Sequence, residues 1–144
     1  MPEISRSALL PYPAAFMYDL VNAVDAYPEF LPWCGGARIE QQTDTTMEAA
    51  IQIRVAGLDQ WFKTRNNMVP GESIDMQLVE GPFKKLRGQW KFLQLEETGC
   101  RIELMLEFEF KAGLAAKLIA PAFTRIANTM VDSFCQRAHE LHGK

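Results

Sequence analysis

Three side chains near the C-terminus could in principle bind a metal: Cys135, His139 and His142, spaced by four and three residues on a segment with helical periodicity. That spacing puts a thiol and two imidazoles on one helix face. A zinc site, however, needs three or four converging ligands held by supporting hydrogen bonds. Glu140 is near, but neither it nor any other acid is placed to complete such a set. The simpler role is a solvated helix end beside the negative pole of the helix dipole, so no metal site is expected. An acid–base pair would need carboxylates turned inward, whereas Glu103, Glu107 and Glu109 share strand parity with Arg101 on the face that must be wet. The chain has no Gly-rich phosphate loop, no Gly-x-Ser-x-Gly elbow and no His-Glu-x-x-His. These residues predict no enzyme activity, no catalytic residue and no cofactor.

Two kinds of polar residue remain. Thr64 and Asn66 have inward parity, and they could hydrogen-bond a ligand carbonyl or satisfy each other. Lys84, Lys85, Arg87 and Lys91, with Lys63 and Arg65, form a dense basic cluster that could meet phospholipid headgroups or RNA. A solvated strand face opposed by Glu107 and Glu109 is the competing explanation.

The elements that must position these residues follow from periodicity. Glu3–Leu9 reads as a strand, and Pro11 and Pro13 then break the chain. Ala14–Val24 reads as a helix with Phe16, Met17, Leu20, Val21 and Val24 on one stripe. Asp25 is placed to cap a following turn, and Tyr27 to Gly36 is too rich in Pro and Gly for a long element. The period then changes to two, which predicts strands over Ala37–Gln42, Met47–Ala56, Trp61–Val69, Ser73–Glu80, Phe83–Leu95 and Cys100–Phe110. Short turns between them call for antiparallel hairpins. On the last strand Ile102, Leu104, Leu106, Phe108 and Phe110 share the dry face, and across the preceding turn Leu86, Trp90 and Phe92 match them. Gly113–Leu141 predicts a long helix with Leu114, Leu118, Ile126, Met130, Phe134, Ala138 and Leu141 on its buried face, kinked or split at Pro121.

A seven-stranded twisted sheet with one apolar face needs a cover, and only the last helix is long enough. The predicted class is therefore α+β, a single domain over residues 1–144 in which a curved antiparallel sheet wraps a long C-terminal helix, with two short helices after the first strand. Such a sheet need not close fully on its helix, and the remaining volume would be an apolar pocket. Strand parity nominates Phe62, Met68, Ile74, Met76, Leu78, Leu86, Trp90, Phe92, Leu104, Leu106 and Phe108 for its wall, closed by Ile126, Met130 and Phe134, and Phe83 at the start of its strand is added as a further candidate. The competing reading is a solid core. Seven methionines, flexible and polarizable, favour a ligand of variable shape.

Composition narrows the function classes. The 144 residues are 48% hydrophobic and 23% charged with a net charge of −3, which gives no broad pull toward nucleic acid or anionic lipid. No apolar run approaches the roughly 20 residues that span a bilayer, and the N-terminus lacks the pattern of a secretory signal. Cys34, Cys100 and Cys135 are widely spaced and odd in number, as expected of reduced thiols. A cytoplasmic location is expected, with at most peripheral contact at the inner membrane and no DNA partner.

Four stretches together are specific. The run Tyr27-Pro28-Glu29-Phe30-Leu31-Pro32-Trp33-Cys34 resembles the signature of the coenzyme-Q-binding and ribosome-association-toxin branch of the START-like superfamily. Phe62 to Asn66, Gly81 to Phe92 and Met130 to Ala138 agree with the same branch in order and spacing. The resemblance covers nearly the whole chain. It implies a helix-grip fold that binds an isoprenoid quinone such as ubiquinone without covalent chemistry, as a carrier or chaperone for respiratory electron transport. Behind that leading reading stands the branch's other activity, binding of the large ribosomal subunit to block subunit joining, which the basic cluster supports and the net acidity opposes. A third implication is polyketide cyclase or aromatase activity, which the lack of inward acids and bases disfavours. Phe30, Leu31, Pro32 and Trp33 lie just before Gly35-Gly36, and so constrained a loop can serve as an apolar gate at the pocket mouth. The competing role for Trp33 is a plug at the base of the first helices.

Overall fold

The computed structural model describes residues 3–55, 58–111 and 114–142; the side chains of residues 55, 58, 114–119 and 142 lie outside that description, including the predicted stripe positions Leu114 and Leu118 and the weighed ligand His142. In chain order the elements are β1 (Glu3–Leu10), α1 (Ala14–Asn22), a short 3-10 helix (Val24–Glu29), β2 (Cys34–Gln42), β3 (Thr46–Val55), β4 (Leu58–Val69), β5 (Ser73–Glu80), β6 (Phe83–Leu95), β7 (Gly99–Phe110) and α2 (Leu114–His142). The strands form one antiparallel sheet in the order β1-β7-β6-β5-β4-β3-β2. From β2 to β7 each strand pairs with the next through a short turn, and β1 closes the far edge by pairing with β7, Ile4 opposite Leu106 and Leu10 opposite Cys100. Register shifts in the β2–β3, β4–β5 and β6–β7 pairs bend the strands, so the sheet curls around α2.

The alternation predicted for β6 and β7 holds. Leu86, Trp90, Phe92, Ile102, Leu104, Leu106 and Phe108 are all buried. On the outer face the register sets Arg87 opposite Glu107 and Lys91 opposite Glu103. Opposite charges in register help choose the pairing, because a slip of one residue would turn every apolar side chain to water.

Four expectations need correction. The first helix ends at Asn22 rather than Val24: Ala23 leaves helical geometry (φ −82°, ψ 65°) and the chain re-enters as the 3-10 helix, with Pro28 inside it. β2 begins at Cys34, not Ala37. Gly35 and Gly36 read as loop residues by propensity, but the strand needs them for close approach: a Cβ on Gly36 would stand 3.1 Å from the Trp61 ring, and one on Gly35 2.9 Å from Gln52 Oε1. Pro121 does not split α2, which runs unbroken from Leu114 to His142. Finally, Leu141 is exposed, and the buried stripe ends at Ala138.

Between sheet and helix the aromatic rings form two groups. One gathers Phe62, Phe83, Phe108, Phe110 and Phe123, with neighbouring centroids 4.6–5.6 Å apart in the contacts Phe83–Phe110, Phe108–Phe123, Phe83–Phe123 and Phe62–Phe83. The other gathers Tyr27, Phe30, Trp90 and Phe134, each of the first three rings 5.4 Å from Phe134, with Phe92 beside Trp90. Phe123 and Phe134 are eleven residues apart on α2, about 16 Å along the helix axis. Phe134 is fully buried at the centre of its group. Phe134→Ala should therefore lower unfolding free energy in urea by about 3–5 kcal/mol. A loss below about 1 kcal/mol would mean that the second group does not anchor the helix.

Candidate functional site

Between the two aromatic groups lies an apolar cavity of about 60 Å³. That is smaller than the roughly 150 Å³ of a cavity that admits benzene, so a ring enters only as flexible wall side chains such as Met76 and Met130 turn aside, and a long polyprenyl tail would have to extend outside.

Every layer of the fold contributes wall. From α1 and the 3-10 helix come Val21, Asn22, Val24 and Tyr27; from the following loop, Trp33; from the sheet, Ala49, Ile51, Phe62, Thr64, Asn66, Ile74, Met76, Leu86, Gly88, Trp90, Leu104 and Leu106; from α2, Phe123, Ile126, Ala127 and Met130. The space exists because residues near its middle are small. Ala49 and Ala127 offer only a methyl each, and Gly88 lets Met76 Cε and Leu106 Cδ1 lie against the sheet where a Cβ would stand 2.6 and 3.0 Å from them.

Of the nominated residues, Trp33, Phe62, Thr64, Asn66, Ile74, Met76, Leu86, Trp90, Leu104, Leu106, Ile126 and Met130 form this wall. Others do not. Phe92 and Phe108 have the right parity, Phe83 is buried beyond the register shift between Phe83 and Lys85, and Phe134 lies on the buried face of α2, but all four sit in the aromatic groups that close the two ends. Met68 is core, and Leu78 is only half-buried against it. The signature loop is not an open mouth. Leu31 is fully buried, Pro32 is exposed, and Phe30 packs on Tyr27 and Phe134 beneath the Arg137 guanidinium, 5.2 Å from its ring centroid. Arg137 in turn reaches Glu29 at 3.5 Å and Glu140 at 3.7 Å. Backbone bonds pin the loop: Leu31 N–H donates to Tyr27 O (3.0 Å), Cys34 N–H to Leu31 O (3.0 Å) and Arg54 N–H to Trp33 O (2.7 Å).

Sequence reading missed Val21 and Val24 as wall, although both lie on the predicted helical stripe. It also missed Ala49 and Ile51, whose parity on β3 was available, and Asn22, Tyr27, Gly88, Phe123 and Ala127.

The wall carries no Asp, Glu, Lys, Arg or His among the described residues. Tyr27 is its one phenol. Burial pushes its pKa up, with the nearby Cys34 adding to the effect, and its hydroxyl donates to Val21 O. Burial likewise raises the Cys34 thiol, partly offset by the backbone of Gly36. Both groups are neutral at physiological pH. Thr64 Oγ1 donates to Asn66 Oδ1 at 3.0 Å, so this pair satisfies itself in part.

The basic cluster lies outside and is interleaved with acids. Lys63 Nζ pairs with Glu40 and lies 3.7 Å from Glu80; Arg65 lies 3.5 Å from Glu48 and Lys85 3.2 Å from Glu107. The hydrogen bond between Lys63 and Glu40 holds the lysine pKa up and the carboxyl pKa down. Lys84, Arg87 and Lys91 project from the same exposed face. At the end of α2, His139 Nδ1 shares a hydrogen bond with Tyr12 Oη, and no cluster of three or more metal-ligating side chains occurs among the described residues. Among those residues, too, no helix is long and apolar enough to cross a membrane.

Over residues 10–135 the sequence matches the family described as polyketide cyclase/dehydrase and lipid transport. It is 49% identical over 141 residues to the ribosome association toxin RatA of Pseudomonas aeruginosa, covering 98% of each chain. It is 24% identical over 146 residues to a mitochondrial coenzyme Q-binding protein homolog of Xenopus laevis, covering 99% of this chain and 60% of that protein. Among solved structures, the Zhui aromatase/cyclase from a Streptomyces species aligns with a TM-score of 0.84 across 96% of this chain and 93% of that one; at 15% identity the likeness is one of fold.

If the void is as described, a larger residue at its edge has somewhere to go. Ala127→Leu should change unfolding free energy in urea by less than about 1 kcal/mol, where a solid core would lose 1–3 kcal/mol to overpacking. A loss in the larger range, with the fold otherwise intact by circular dichroism, would argue that the space is filled.

Proposed function

This chain belongs to the polyketide cyclase/dehydrase and lipid transport family, and from that premise we propose that it is a non-enzymatic ribosome-associating protein of the toxin branch, acting in the cytoplasm. The observation that carries this reading is the 49% identity across 98% of both chains to a protein named for ribosome association. In the proposed mechanism the folded domain binds the large ribosomal subunit and so blocks subunit joining. The work is done by surface contact, and no bond is made or broken. The wall chemistry supports the non-enzymatic part, because among the described residues the wall holds no Asp, Glu, His or Lys to transfer a proton to an occupant. The outer sheet face supports a contact chosen by local pairing: its cations sit beside carboxylates, so ribosomal RNA phosphates would have to compete with Glu40, Glu48 and Glu107 for them.

A second reading coexists with the first, favoured by the cavity itself and by the distant likeness to a coenzyme Q-binding protein homolog. In it, the interior holds a neutral apolar ligand, an isoprenoid quinone or a molecule like one, with its ring or first isoprene units inside and any longer tail outside. Occupancy inside and contact outside use different residues, so one domain can do both.

Sucrose-gradient sedimentation of a cell extract supplied with the purified protein tests the leading reading. The protein should travel with the large subunit, and the fraction of joined ribosomes should fall as it is added. Protein that stays at the top of the gradient, with ribosome profiles unchanged, would refute the reading.

A further inference from the structure

Two buried polar atoms at the wall of the cavity have no protein partner: Trp33 Nε1 and Asn22 Oδ1. The indole is a donor only, and Trp33 is 8% exposed. Leaving a buried donor or acceptor unpaired costs about 1–3 kcal/mol, so folded proteins seldom keep two at one cavity without a use. The other polar groups of the wall are accounted for, since Thr64 bonds Asn66 and the Tyr27 hydroxyl bonds Val21 O. A third orphan, Tyr18 Oη, belongs to a residue packed edge-on to Phe92 and outside the cavity wall.

The positions of the two orphans are set by backbone. Asn22 is the last residue of α1, and Trp33 is held through its carbonyl by Arg54 N–H. One supplies an acceptor and the other a donor, in a wall that is otherwise hydrocarbon and carries no charge. A carboxylate or phosphate brought into that space would lose its hydration with no cation to meet it. A pure hydrocarbon would leave both orphans unpaired.

We propose that Trp33 Nε1 and Asn22 Oδ1 are the specificity-determining atoms of the cavity, and that together they select a neutral, ring-sized molecule bearing oxygen. Trp33 donates to a carbonyl or hydroxyl oxygen of the occupant, and Asn22 accepts from a hydroxyl. This rests on the reading that the cavity binds a ligand, and it adds how ligands are ranked: fatty-acid anions are refused for their charge, and plain hydrocarbons bind more weakly than their oxygen-bearing counterparts for lack of a partner.

Three probes of similar bulk test it by calorimetric titration: 1-tetralone, which carries a carbonyl; tetralin, its hydrocarbon counterpart; and 5,6,7,8-tetrahydro-1-naphthol, which carries a hydroxyl. Decanoate serves as the anionic control. Trp33→Phe should weaken 1-tetralone by about fivefold while leaving tetralin unchanged, and Asn22→Leu should weaken the naphthol by a similar factor while sparing 1-tetralone. Decanoate should not bind. Should a variant fold poorly, the wild-type chain gives an independent readout. Of its three tryptophan indole N–H resonances, one should shift on adding 1-tetralone and stay in place with tetralin. Binding of 1-tetralone and tetralin that responds equally to Trp33→Phe, with no indole resonance distinguishing them, would overturn the selectivity and leave the cavity reading standing. Tight binding of decanoate would also overturn it. If none of the four probes binds, the cavity reading itself fails and the selectivity with it.

Discussion

The interior depends on a spacing constraint: two groups of aromatic rings keep α2 at a fixed distance from the curved sheet. Phe123 meets Phe83 and Phe108 toward one end of the helix, and Phe134 meets Trp90, Tyr27 and Phe30 toward the other. Rings are stiff, and their edge-to-face contacts resist compression, so the helix cannot sag onto the residues between them. There the sequence places Ala49, Gly88 and Ala127. Large residues at the ends and small ones in the middle give a cavity, much as two spacers hold apart a pair of plates.

That division explains why chemistry is kept outside. The described ion pairs run over the exposed sheet face and the loop–helix seam, Arg38 with Glu40, Lys63 with Glu40, Arg65 with Glu48 and Arg137 with Glu29, while the wall is neutral. Buried, the same charges would lose their hydration without comparable return. Inside and outside can therefore carry separate duties. In the proposed reading an occupant would fill the space between the ring clusters, and a macromolecular partner would meet the interleaved charges and the exposed Trp61, which lies under the Arg38 guanidinium at 5.0 Å. An occupant touching Trp33 and Met130 also touches both segments that frame the Phe30–Arg137 seam, a physical route by which the interior could influence the surface.

Much of this architecture was legible in the residues alone. Period-two alternation in β6 and β7 assigned the dry and wet faces correctly, with basic residues of one strand opposed by acidic residues of the other, and the long α2 stripe identified the cover. One boundary was misread where tertiary contact overrode local propensity, at Gly35-Gly36 beside Gln52 and Trp61, and Pro121 does not divide α2 as its type alone suggests. For the site, parity says which face a side chain takes but not how far along the sheet it lies. Phe108 and Leu106 share a face, yet one fills an end and the other lines the void. Small residues advertise nothing, so Ala49, Gly88 and Ala127 were silent although they make the space. Asn22 escaped because its inward placement depends on where α1 stops. The ribosome reading came from resemblance, and no single residue pattern would have raised it.

The account stands or falls on whether that interior space is real. Xenon enters dry apolar cavities and is easily seen by diffraction. Crystals of the ligand-free protein under xenon pressure should show a strong peak between Ala49, Leu104 and Ala127. An empty map there, with Met76 and Met130 folded across the gap, would contradict it.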